Sequence, residues 1–185
     1  MTKILNGTLP LRALTVGLMC LLVDFNVQQA NALDNNLQIG GTLVSEPCTL
    51  DVNDNTLLVD FGTVLDNTLY KDTRTLGLPF RVTLTDCDTS LAKSVNLTFS
   101  GQESVALPGL LITSGSGATG IAIGIETLDG VALPVNHPTP SYDLQDGTTA
   151  INLQAYVQAE PKALEQHSLV PGSFSAVATI DASYP

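Results

Sequence analysis

The chain has 185 residues, 44% of them apolar, with 15 Gly, 10 Pro and no Trp, about the length and composition of one ordinary domain. Seven Lys and Arg against 18 Asp and Glu give a formal charge of -11, so there is no basic surface to neutralise phosphates or anionic lipid head groups, and nucleic-acid binding is excluded. With 14% charged residues and a mean hydropathy of +0.24, the chain lies far from disordered compositions and can bury a core.

Lys3 and Arg12 precede an apolar run over residues 13–23. At about 11 residues it is short of the roughly 20 that span a bilayer and reads as the core of a secretory signal. Ala30-Asn31-Ala32 offers small side chains where a signal peptidase cuts, which predicts a signal over residues 1–32 and a new N-terminus at Leu33. Gly17-Leu18-Met19 ahead of Cys20 lacks the Leu and small residue of a lipidation box, so no lipid anchor is expected. Cys20 leaves with the signal, and Cys48 and Cys87 remain as an even pair in an oxidising compartment. Their spacing fits no zinc or redox motif, so a structural disulfide is predicted; closing a loop of that size is worth about 4 kcal/mol in the chain-entropy model.

Beyond the signal, period-2 alternation predicts seven strands with one buried face. They are carried by Leu37/Ile39/Gly41/Leu43, Leu57/Val59/Phe61, Phe80/Val82/Leu84, Val95/Leu97/Phe99, Ile121/Ile123/Ile125, Ile151/Leu153/Ala155/Val157 and Phe174/Ala176/Ala178/Ile180/Ala182/Tyr184. Turn signals lie at residues 51–55, 114–117 and Asp129-Gly130; the last predicts a type I′ hairpin joining 125–127 to 131–133. Only residues 161–166, with Pro161 at a first helical position, predict a helical turn or two. The fold class is therefore all-β, an antiparallel sandwich in a single domain over residues 33–185.

The last strand keeps six inward positions up to the penultimate residue, where chain ends usually fray. It must be tied into a sheet, and its other edge needs a partner that the sequence does not supply.

At this point the chain resembles subunits of pili assembled by the chaperone-usher pathway. The residues that carry the resemblance are the run from Gly41 to Pro47-Cys48, Leu84-Thr85-Asp86-Cys87, Gly172 fourteenth from the end and Tyr184 next to last. Residues 97–110 and Leu169-Val170-Pro171-Gly172 look most like minor or adaptor pilins of the P-pilus type. The resemblance implies an incomplete immunoglobulin-like β-sandwich that lacks its C-terminal G strand and is completed by a donor strand. It implies three partners: a periplasmic pilus chaperone, an outer-membrane usher and neighbouring pilus subunits, with export through the periplasm to a cell-surface fimbrium. Residues 33–45 would be the donor extension, with Leu37, Ile39 and Leu43 filling a groove and Gly41 at the family's glycine. Gly172, Phe174, Ala176, Ala178, Ile180, Ala182, Tyr184 and Pro185 would border the acceptor groove and bind the chaperone. On periodicity alone, both segments read better as the ordinary first and last strands of a complete sandwich; the family motifs reverse that preference in favour of exchange. Only 15 residues from Leu33 precede Cys48, which favours a minor subunit over the rod subunit.

No catalytic constellation, metal cluster or cofactor motif is expected. His137 lies among prolines and His167 follows Glu165-Gln166, both loop contexts, and Asp51, Asp54, Asp86 and Asp88 lack calcium-loop spacing. Two other functions compete: a single-domain carbohydrate-binding adhesin, for which four scattered Tyr and no Trp are poor material, and a secreted enzyme.

Overall fold

Alternating apolar residues build two antiparallel sheets around one interior. The computed structural model describes Gly40, Leu43 and residues 45–51, 57–115 and 117–185; the predicted signal and Leu37, Ile39 and Gly41 lie outside the described residues. Leu43–Pro185 form one compact unit. In chain order its elements are β1 (Thr49–Asp51), α1 (Asp66–Asp72), β2 (Leu78–Cys87), β3 (Ser94–Gly101), β4 (Leu111–Ile112), β5 (Ile121–Thr127), β6 (Tyr142–Asp143), β7 (Gly147–Ala159), α2 (Pro161–Glu165) and β8 (Ala178–Ser183). One sheet has the order β1-β2-β7-β5-β4 and the other β6-β3-β8, and every pairing between named strands is antiparallel.

The inward sides of these strands are the alternating positions read from the sequence. Val82, Leu84, Val95, Leu97 and Leu153 centre one half of the core; Ile121, Ile123, Val135 and Val157 centre the other. Complete burial of a side chain such as Leu84, Leu97 or Leu153 contributes about 1.5–3 kcal/mol.

Three local predictions need correction, and one element was not predicted at all. Residues 57–61 are not a strand: the Gly62 N–H bonds Asp60 Oδ1 at 2.9 Å and Gly62 takes φ +57°, which ends the extended run, although Val59 and Phe61 still pack inward. The Asp129-Gly130 turn is not type I′, because only Gly130 has positive φ (81°). Gly130 N–H bonds Thr127 O and Thr127 N–H bonds Val131 O, each at 2.9 Å, a three-residue loop with glycine in the left-handed position. The last strand begins at Ala178 rather than Phe174; ahead of it, Ser175 pairs with Ser114. Helix α1 was not foreseen, because it buries only Leu69 and seven residues hold no repeat to read. Helix α2 forms as predicted with Pro161 in its first turn.

Candidate functional site

Strand β8 pairs with β3 from Asn96↔Ser183 to Gly101↔Ala178. Asn136 N–H donates to Phe99 O at 2.9 Å and Thr139 N–H to Leu97 O at 2.7 Å, so the odd-numbered residues of β3 bond away from β8. Antiparallel alternation then turns Thr179, Asp181 and Ser183 toward β3 and leaves the N–H and C=O groups of Ala178, Ile180 and Ala182 on the outer edge. Among the described residues no strand pairs with that edge.

The side chains show the same incompleteness. On β3, Val95 and Leu97 are 0% exposed and Phe99 2%, whereas Phe174, Ala176, Ala178, Ile180, Ala182 and Tyr184 all stay half-buried, each followed by an exposed residue. The elements facing them supply a second wall: Cys48 and Leu50 toward the Tyr184 end, and Val59, Phe61 and Val64 toward the Phe174 end. Phe80 and Ala178 touch both halves of the core and mark the middle. Beside Tyr184 a cavity of about 270 Å³ opens between Glu46, Cys48 and Leu50 on one side and Ile180 and Ala182 on the other.

Both ends are fastened. Tyr184 Oη donates to Cys48 O at 3.4 Å, and burial, then the Glu46 carboxylate, pushes the Tyr184 hydroxyl above its ordinary pKa. Cys48 is bonded to Cys87, with Cα atoms 4.1 Å apart. Simple alternation after Val82 and Leu84 would have pointed residue 86 inward. A bulge between Leu84 and Cys87, with Asp86 at φ 54°, inserts one residue and turns Cys87 to the core instead. At the other end the Phe61 and Phe174 rings lie 6.2 Å apart, and the Tyr70 hydroxyl of α1 accepts the Leu169 N–H at 3.1 Å. A Cβ on Gly172 would overlap the Gly117 backbone, which explains glycine there: the segments before β8 and before β5 cross at main-chain contact.

The structure therefore brings Phe174, Ala176, Ala178, Ile180, Ala182 and Tyr184 together along one groove, with Gly172 just beyond it and the exposed Pro185 at the chain end. Leu43 is fully exposed. Sequence reasoning missed Leu50, Val64 and Phe80 as groove residues; Val59 and Phe61 carried the right alternation but were assigned to a strand. His167 stacks on Tyr70, with ring centroids 5.1 Å apart, in the turn after α2. Among the described residues no three His, Cys, Asp or Glu are grouped to hold a metal ion. A second depression, of about 390 Å³, lies beside β6 and the ends of β5 and β7, with Tyr142 as the one aromatic residue lining it.

Comparison with known proteins agrees with this geometry. Residues 37–185 match the model of the fimbrial protein family. The chain is 32% identical over 178 residues to the fimbrial adapter PapK of Escherichia coli, covering 92% of this chain and 98% of that protein. It is 25% identical over 169 residues to the putative minor fimbrial subunit PmfF of Proteus mirabilis, covering 90% of this chain and 93% of that one. The crystal structure of the P pilus rod subunit PapA has the same fold, with a TM-score of 0.66 at 23% identity over 76% of this chain and all of that one. The chain, an all-β sandwich with one strand edge unpaired among the described residues and matched to that family over most of its length, belongs to the fimbrial protein family as a subunit of the chaperone-usher type.

Proposed function

We propose that this chain is a minor or adaptor subunit that joins a pilus by donor-strand exchange. Residues 1–32 direct export, and residues 33–45 then form the donor extension, with Leu37, Ile39 and Leu43 as groove-filling side chains and Gly41 between them. A periplasmic chaperone occupies the groove beside β8 first. At the outer-membrane usher, the extension of a neighbouring subunit replaces it and the fibre is carried to the cell surface.

The observation that carries this reading is the outer edge of β8, where Ala178, Ile180 and Ala182 are half-buried and face no strand among the described residues. An added strand gains main-chain hydrogen bonds along that edge and buries alternate side chains. Three large aliphatic side chains contribute roughly 5–9 kcal/mol before ordering costs. The similarity to PapK over nearly the whole chain supports the adaptor assignment.

Periplasmic expression with and without a pilus chaperone tests the reading. Recovery only as a soluble one-to-one complex is the expected result. A stable folded monomer obtained without chaperone would sink it.

A further inference from the structure

The larger sheet has an unpaired edge of its own, on β7, built from residues that take no part in the β8 groove. Beyond Thr127↔Leu153, β5 no longer runs beside β7, whereas β2 continues alongside as far as Cys87↔Gly147. The upper half of β7 fixes which way each residue bonds. Val157 N–H donates to Thr75 Oγ1, its carbonyl accepts the Thr75 N–H, and Ala159 N–H donates to Thr73 O, so odd-numbered residues bond toward the line of β2. Alternation turns the even-numbered ones toward β5. Past the end of β5, the main-chain groups of Ala150 and the N–H of Asn152 meet no strand, and neither residue takes part in a main-chain hydrogen bond outside the ladders.

Strand β6 presents the opposite wall. Leu144 N–H donates to Lys93 O at 2.9 Å, so Tyr142, two residues earlier, bonds toward β3, and Asp143 between them turns its main chain outward. Between these two edges lies the depression of about 390 Å³, bounded also by the turn over residues 127–129. Tyr142 lines it, and its hydroxyl is buried with no hydrogen-bond partner among the described residues. The Thr139 hydroxyl beside it is engaged elsewhere, accepting the Leu97 N–H at 2.9 Å and donating to Pro140 O at 3.0 Å. Asp129 and Asp143, both exposed, are the charged residues lining the slot, and no Lys or Arg joins them.

We propose that this slot receives a short extended segment of a partner protein that carries Lys or Arg, added to β7 in line with β5 and flanked by Asp129 and Asp143. A strand seated there gains main-chain hydrogen bonds from Ala150 and Asn152, and the two carboxylates favour a basic segment while repelling an acidic one. A second copy of this chain does not supply it. Of the Lys and Arg beyond the predicted signal, Lys71 and Lys162 lie in helices, Arg74 and Arg81 are bonded to Glu126 and Asn152, and Lys93 holds Leu144 through its carbonyl just ahead of β3. The partner is therefore a different protein. The slot shares no lining residue with the cavity beside Tyr184, so the proposal stands apart from the donor-strand reading.

The test uses the nitrogen-15-labelled subunit in its chaperone complex, or as the monomer should the chain prove stable alone. The probe is a blocked five-residue peptide of alternating valine and lysine; one control replaces lysine by glutamate and the other N-methylates the backbone amides. The lysine peptide is expected to slow hydrogen exchange of the Ala150 and Asn152 N–H groups at least ten-fold and to leave β8 unchanged, and both controls should bind at least ten-fold more weakly. Asp129→Asn combined with Asp143→Asn should weaken the lysine peptide about five-fold. Ala150→Pro, which removes one N–H from the open edge without taking a bond from the β2 ladder, should weaken it separately. Unchanged exchange at Ala150 and Asn152 overturns the proposal, as does equal binding of either control or binding that both variants leave intact. A subunit that proves stable without chaperone would end the donor-strand reading and leave this result standing.

Discussion

The hydroxyl of Tyr184, one residue from the chain end and just after β8, donates to the carbonyl of Cys48, just before β1, so the end of the last strand meets the start of the first beside the disulfide. This contact holds one end of the groove at a fixed width. Loss of residues 183–185, or Tyr184→Ala, should therefore reduce recovery of the chaperone-bound subunit. Deletion of residues 33–41 should spare that complex and block incorporation into fibres. Co-purification and fibre assays read the two separately, and equal effects from both changes would contradict the division of labour.

The same hydroxyl gives a pH signature. Burial and Glu46 raise its pKa in the folded chain, so the neutral form is the one the fold favours. Its contribution is whole below the unfolded tyrosine value of about 10 and is lost as pH rises through the folded value. Alkaline unfolding of the chaperone or donor complex should thus begin at higher pH in Tyr184→Phe than in the unaltered chain, followed by far-ultraviolet circular dichroism.

On the outer face of the larger sheet, Arg74 meets Glu126 with both nitrogens, at 2.5 and 2.9 Å, and lies 3.7 Å above the Tyr156 ring, while Gln154 Nε2 donates to the same carboxylate at 2.8 Å. Glu126 is 1% exposed, so Arg74→Ala would strand a buried carboxylate at a cost of about 3 kcal/mol. The Arg74 hydrogen bond holds the Glu126 carboxyl below its ordinary pKa against the opposing effect of burial. That stabilisation is complete above the unfolded glutamate value of about 4.3 and is lost as pH falls through the lower folded value. Acid titration of the complex should show a shallower loss of stability in Glu126→Gln.

At the crossing of Gly117 and Gly172 the main chains are too close for a side chain on Gly172. Gly172→Ala should cost about 1–3 kcal/mol, the range for overpacking, and displace the segment leading into β8. Hydrogen exchange over residues 170–177 should rise with little change in β2 and β7. Unchanged protection there would contradict the packing account.

Removing the disulfide by Cys48→Ser with Cys87→Ser should cost about 4 kcal/mol. Guanidinium unfolding of the donor-complemented subunit should show a lower midpoint. Because β1 forms one wall of the groove, donor dissociation should also accelerate, which stopped-flow anisotropy would detect.

Alternation at Val82/Leu84, Val95/Leu97, Ile121/Ile123 and Ile151/Leu153 determined the strands by itself, because each inward residue buries against an opposite sheet and period 2 leaves no other face. The cysteine pair and the alternation of the last strand up to Tyr184 were likewise legible. Only the tertiary structure decided which positions along that strand are open. Phe61 and Phe174 are far apart in sequence, and whether one fills space beside the other depends on a chain path that no local period encodes. The bulge that turns Cys87 inward, the α1 crosspiece and the Gly117–Gly172 crossing have the same origin. Each arises where two distant segments compete for one volume, and that competition is settled by packing rather than by the preference of either segment alone.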